Sequence, residues 1–171
     1  SSGALTGSYT TTATEIDPDW GVIVKSQTIG VSLRGIGNSV GSYTTDSTFD
    51  NIDGILQSQL TTGTSTTSSG ALTGSYTTSV DAADISSWGV IQKSQTVGVS
   101  LRGIGVVIGS YTTDSTFDAD NGILQSQSTT GTSTTSSGAL TGTYTTSVAL
   151  SDINKWGVIQ KSQTTGVSLR G

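Results

Sequence analysis

Three sets of residues in this chain could do chemistry, and each of them recurs instead of standing alone. Lys-Ser-Gln occurs at Lys25-Ser26-Gln27, Lys93-Ser94-Gln95 and Lys161-Ser162-Gln163. The 171 residues contain no histidine, cysteine or methionine, so a serine nucleophile would depend on a Ser-Lys or carboxylate partner. Enzymes concentrate chemistry in one pocket, and three identical copies argue against that. Asp46 and Asp50 recur as Asp114 and Asp118 and read as a solvated loop. No catalytic residue is assigned, and the chain is expected not to be an enzyme.

The second set is acidic. Asp17-Pro-Asp19-Trp-Gly21 and Asp118-Ala-Asp120-Asn-Gly122 resemble pieces of an Asp-x-Asp-x-Gly loop, with Asp50-Asn-Ile-Asp53-Gly54 a looser version. Hard oxygen ligands on a glycine-ended loop suit calcium, which makes Asp17/Asp19 and Asp118/Asp120 the candidate sites. No bidentate glutamate follows, and the equivalent loops at Asp81–Trp88 and Ser151–Trp156 lose the pattern. Asp, Asn and Gly are also ordinary turn formers, and the turn reading is preferred: no cofactor is expected. The third set is Thr61-Thr-Gly-Thr-Ser-Thr-Thr67, repeated at Thr129–Thr135. A flat Thr array could hold ice or a polysaccharide, whereas the structural reading is a ladder of paired hydroxyls within a sheet.

All three sets are carried by an internal repeat. Trp20, Trp88 and Trp156 lie 68 residues apart, each followed by Gly-Val-Ile. Gly41–Thr73 recurs as Gly109–Thr141 with four changes. The period halves again, because Gly-Ser/Thr-Tyr-Thr-Thr begins at Gly7, Gly41, Gly74, Gly109 and Gly142. A second glycine at Gly21, Gly54, Gly89 or Gly122 precedes the next such motif by 20 residues every time, and Gly157 holds the same place in the last copy. Length therefore varies only in the short segment after Tyr-Thr-Thr, as a surface loop allows. One array over 1–171 is expected, with turns 7–40, 41–73, 74–108, 109–141 and 142–171, and 1–6 completing a preceding turn.

Alternation in Ile29-Gly-Val31-Ser-Leu33 and Leu72-Thr-Gly-Ser-Tyr76 is the period-2 pattern of half-buried strands, and no helical period competes with it. The chain is all-β. A β-solenoid-like stack of 34-residue turns, grouped as 68-residue repeats, is preferred over tandem 68-residue sandwich-like units. Few aromatics leave a 68-residue unit with a thin core of its own. In such a coil Tyr9, Tyr43, Tyr76, Tyr111 and Tyr144 form an unbroken aromatic ladder, and Trp20, Trp88 and Trp156 occupy every second turn. Lys25, Lys93 and Lys161, like Arg34, Arg102 and Arg170, are then spaced by two rungs, ~10 Å, close to the Debye length. Gly21, Gly54, Gly89, Gly122 and Gly157 mark the corners. Lys25 shares the phase of Ile23 but not of Val22 and Val24, so a bulge is expected between residues 25 and 29.

Charged residues make up 11% and the net charge is −5, with seven Lys plus Arg, which argues against nucleic acid as a partner. No apolar run reaches the ~20 residues of a membrane helix. The absence of oxidisable side chains suits exposure outside a cell, and a secreted, mature or trimmed segment is expected. By alignment Ser1 and Gly171 both match Gly35, and neither end carries a distinct polar cap. Stacking on other copies, or membership of a longer array, is therefore expected. In composition and periodicity the chain resembles repetitive bacterial adhesins and functional-amyloid fibres. That resemblance implies a secreted structural filament, sheath or adhesive matrix assembled head-to-tail, with carbohydrate or a surface as the further partner.

Overall fold

The computed structural model describes residues 5–35 and 37–169. Expectations on Ser1, Arg170 and Gly171 lie outside the described residues. The chain is all-β, as the alternation requires, in ten strands: β1 (Gly7–Ile16), β2 (Ile23–Arg34), β3 (Asn38–Phe49), β4 (Leu56–Thr66), β5 (Leu72–Val80), β6 (Lys93–Arg102), β7 (Val106–Phe117), β8 (Leu124–Thr134), β9 (Leu140–Val148) and β10 (Gln163–Ser168). Among the described residues the remaining regular structure is two single 3-10 turns, Ala82–Asp84 and Leu150–Asp152. They lie in the two longest connections, where the repeat places its variable segment.

The strands follow one another in sequence order across a single sheet, every neighbour antiparallel, and the sheet does not close. This differs from the expected coil. A 34-residue unit is two antiparallel strands with their connections, not one rung, and the 68-residue repeat is four strands. Tyr43 and Tyr76 are not direct neighbours, because both face Gly63 from opposite sides. Lys25 and Lys93 are consequently four strands apart, ~19 Å at the usual strand spacing, twice the separation expected from a coil. Two of the antiparallel turns, β2 to β3 and β6 to β7, are made where two glycines bracket one residue. Gly35 and Gly37 have φ of 66° and 77°, and Gly103 and Gly105 have 65° and 74°. Side chains avoid that backbone region, so those positions reverse the chain cheaply only as glycine.

The phases of Lys25 and Ile23 are reconciled by two adjacent register shifts against β1, one at the Lys25/Ser26 step, at the edge of the expected interval, and one just before Lys25. Glu15 pairs with Lys25 and Ile16 with Ile23, leaving Val24 unpaired, and Thr14 is skipped opposite the Lys25/Ser26 step, whereas residues 25–32 pair with β3 without interruption. Further register shifts include those at Ser32/Leu33, Ser65/Thr66 and Thr116/Phe117, near the ends of their hairpins, whereas β5–β6 and β9–β10 pair without a shift.

One layer has no interior. Among the described residues only Val80 and Val148 are buried hydrophobic side chains, with Ser47 and Ser115 the buried polar ones. Stability must therefore come from the hydrogen-bonded ladder and from side-chain rows running across the strands, in place of a packed core.

Candidate functional site

The rows across the sheet are the chain's organised chemistry. Directly paired residues point to the same face, so the registers assign each row. On one face Tyr9, Gly30, Tyr43, Gly63, Tyr76, Gly98, Tyr111, Gly131, Tyr144 and Gly166 form a single line. The expected tyrosine ladder is thus interleaved with glycine. From Tyr43 onward, each ring leans onto the glycine of the preceding strand. A Cβ built on Gly63 would lie 2.3 Å from Cζ of Tyr76, and Gly30, Gly98 and Gly131 meet Tyr43, Tyr111 and Tyr144 in the same way. Glycine is required here because the ring occupies the space of a side chain. In return the ring covers backbone that would otherwise be exposed.

Two residues along, the same face carries Thr11, Thr28, Thr45, Thr61, Thr78, Thr96, Thr113, Thr129, Thr146 and Thr164, one from every strand. Their hydroxyls pair at 2.8 Å for Thr11–Thr28, Thr78–Thr96, Thr113–Thr129 and Thr146–Thr164, and at 2.9 Å for Thr45–Thr61. Sequence reading missed this row because it compared like motifs. The signal is present as Tyr-x-Thr on odd strands and Thr-x-Gly on even strands. A third row alternates Gly41, Ser65, Gly74 and Ser100, and a Cβ on Gly74 would stand 2.8 Å from the backbone carbonyl of Val99.

The opposite face bears the Thr tracts. Thr44, Thr62, Thr77, Thr112, Thr130, Thr145 and Thr165 line up, interrupted by Ile29 and Val97. The interruptions fall on β2 and β6, four strands apart, and the equivalent position on β10 is Thr165. Beside this row Ser42, Thr64, Ser75 and Val99 bound a shallow open trough. Ser42 and Thr64 share a hydrogen bond of 3.0 Å, and Gln27 donates to Asp46 at 2.8 Å, as Gln95 does to Asp114.

The candidate chemical groups are separated or already engaged. Lys25 and Ser26 are consecutive in a regular strand and so lie on opposite faces, as do Lys93 and Ser94. Lys25 pairs with Glu15 at 2.5 Å and Lys93 with Asp84 at 3.8 Å; these are exposed contacts that contribute little. Asp17 Oδ1 accepts from the N–H groups of Asp19 and Trp20, both at 2.9 Å. Asp118 Oδ1 accepts from Asp120 and Asn121, and Asp50 Oδ1 from Ile52 and Asp53. These are Asx turns, and among the described residues no three acidic groups converge as a metal site.

The N–H of Asp53, and after it that of Ile52, holds the Asp50 carboxyl below the ordinary value of 3.8. Asn121, followed by Asp120, does the same for Asp118. A folded pKa lowered in this way supports the turn above the unfolded value, and the support is lost as pH falls through the lowered one. Acidification below 3.8 should therefore loosen these two loops, read as growing amide exchange at Ile52 and Asn121. Asp118→Asn should keep the turn and lose that acid dependence, whereas a persisting transition in Asp118→Asn would exclude Asp118 as its source.

Gly21, Gly54, Gly89, Gly122 and Gly157 all have positive φ, from 66° to 79°, and end the loops on one side of the sheet. A Cβ built on Gly54 would stand 3.3 Å from Val22, on Gly89 3.3 Å from Ile55, on Gly122 3.5 Å from Val90 and on Gly157 3.2 Å from Ile123, so these loops lie beside one another. Trp20, Trp88 and Trp156 share those loops but project outward, 74–84% exposed, one per four strands. They make no continuous stack; Lys155 lies 5.0 Å from the Trp156 ring centre. No helix among the described residues is long and apolar enough to cross a membrane. No family model, curated protein or solved structure matches this chain.

Proposed function

We propose that this protein is a secreted structural component that assembles into an extracellular fibre, sheath or adhesive matrix. The observation that carries the reading is the unburied sheet. The chain exposes 10898 Å², about 3,000 Å² more than a compact monomer of this size presents. That excess exceeds the ~1,600 Å² buried in an ordinary protein–protein interface. Ile29, Val97, Val167 and Leu60 are each more than 40% exposed on one face, and the tyrosine row lies on the other. A sheet of one layer with two open edges gains most by adding copies of itself. Repeated rows of identical side chains are also what lets copies add in register. Electron microscopy of the purified chain at low micromolar concentration should reveal denaturant-resistant polymers. Monodisperse monomers at that concentration would overturn the reading.

A second reading rests on the face bearing Thr44, Thr62, Thr64 and Thr77, whose side chains repeat at strand spacing across the sheet. Such a face suits ice or a polysaccharide. Thr64→Tyr should then abolish binding while leaving the protein monomeric and soluble; unchanged binding would exclude that face.

A further inference from the structure

The two outer strands are not equivalent. At every joint from an even strand to the odd strand after it, a glycine of the even strand lies beneath the tyrosine ring of the odd one, four times in all. Gly30, Gly63, Gly98 and Gly131 are buried in consequence. Gly166 in β10 holds the same row position yet is exposed, and no tyrosine ring covers it among the described residues. At the other edge Tyr9 in β1 has no preceding glycine among the described residues and is 73% exposed. One edge presents the seat and the other presents the ring.

Resting on the self-assembly reading above, we propose that a second copy of this chain docks its β1 against the free edge of β10, seating its Tyr9 on Gly166. The parity fits only in that direction. Pairing β1 with β1 opposes tyrosine to tyrosine, and pairing β10 with β10 opposes glycine to glycine. The joint continues an interface already established within the chain. β8 and β9 pair Ser133 with Gly142, Gly131 with Tyr144 and Thr129 with Thr146. The corresponding pairs between copies are Ser168 with Gly7, Gly166 with Tyr9 and Thr164 with Thr11. Charge agrees with shape. Lys25 pairs with Glu15, whereas Lys161, at the same position in its repeat, has no ion pair among the described residues. The joint brings Lys161 to the Glu15 end of the incoming β1. Growth then runs perpendicular to the strands, adding about 48 Å per copy of ten strands. The contact is heterologous and does not close, which produces a filament.

Because the chain has no cysteine, a cross-link reads the register directly. Thr11→Cys combined with Thr164→Cys should, on mild oxidation, convert polymers of the full chain into a ladder of covalent multimers, since opposed strand positions lie within disulfide reach. Thr11→Cys with Thr165→Cys, whose side chains face opposite sides, should give none. Tyr9→Ala, at an exposed edge, should keep the fold and raise the concentration needed for polymers roughly tenfold. Polymers without the ladder, or covalent dimers from Thr11→Cys alone, would overturn this joint while leaving self-assembly intact. A chain that stays monomeric throughout would overturn both.

Discussion

Replacing Gly74 by valine should destabilise the sheet by about 3 kcal/mol, the largest effect expected of any single substitution here. The added Cβ would stand 2.8 Å from the carbonyl oxygen of Val99. That oxygen belongs to the backbone of the adjacent strand, so relief requires separating β5 from β6. The pairing of Gly74 with Ser100 and of Ser75 with Val99 is lost as they part. On its other side Gly74 follows a register shift, where Thr66 pairs with Leu72 and Thr73 is skipped, which leaves little room to slide. Urea denaturation followed by circular dichroism measures the loss. Ser100→Val, in the same row but already carrying a Cβ, is the control and should cost under about 1 kcal/mol. Equal midpoints for the two variants would show that the carbonyl contact does not hold Gly74 to glycine.

The second large effect concerns the ring seated on Gly63. Tyr76→Ala should cost about 2 kcal/mol, through lost apolar burial and the uncovered backbone of the neighbouring strand. Gly63→Ala should cost about 1 kcal/mol in the parent chain, because its Cβ would lie 2.3 Å from Cζ of Tyr76 and displace the ring. A ring can swing away, unlike a carbonyl oxygen, so this cost falls below that at Gly74. In the Tyr76→Ala background the same change should be neutral or favourable, because glycine weakens a strand and nothing then fills the space. The double-mutant cycle should give a coupling of about 1 kcal/mol or more. Strictly additive costs would mean that the ring and the glycine do not act as a pair.

These two glycine rows explain why so much of the candidate surface was hidden from sequence reading. Gly63 and Tyr76 are 13 residues apart, and nothing in either motif says that one roofs the other. Aligning like with like placed tyrosine over tyrosine, because a repeat implies that equivalent residues stack. The antiparallel register instead puts each Tyr-x-Thr beside a Thr-x-Gly. That produces both the interleaved aromatic row and the threonine row crossing all ten strands. The turn chemistry was legible from local residues alone. Asp50 and Asp118 close their loops through bonds two and three residues away, and Gly54 and Gly122 supply the positive φ.

By itself the sequence determined the all-β class, the repeat and its 20-residue constant segment, the loop glycines and the place where connections lengthen. All of these follow from residue type and short-range spacing. Tertiary structure decided that each 34-residue unit folds back as two antiparallel strands instead of winding as a coil. Period-2 alternation is the same for both arrangements, and the reversals are made at positive-φ glycines, paired at Gly35 and Gly37 and single at Gly54 and Gly70. It also decided which side chains become neighbours, because register in a sheet is set by hydrogen bonds between strands and not by position along one of them.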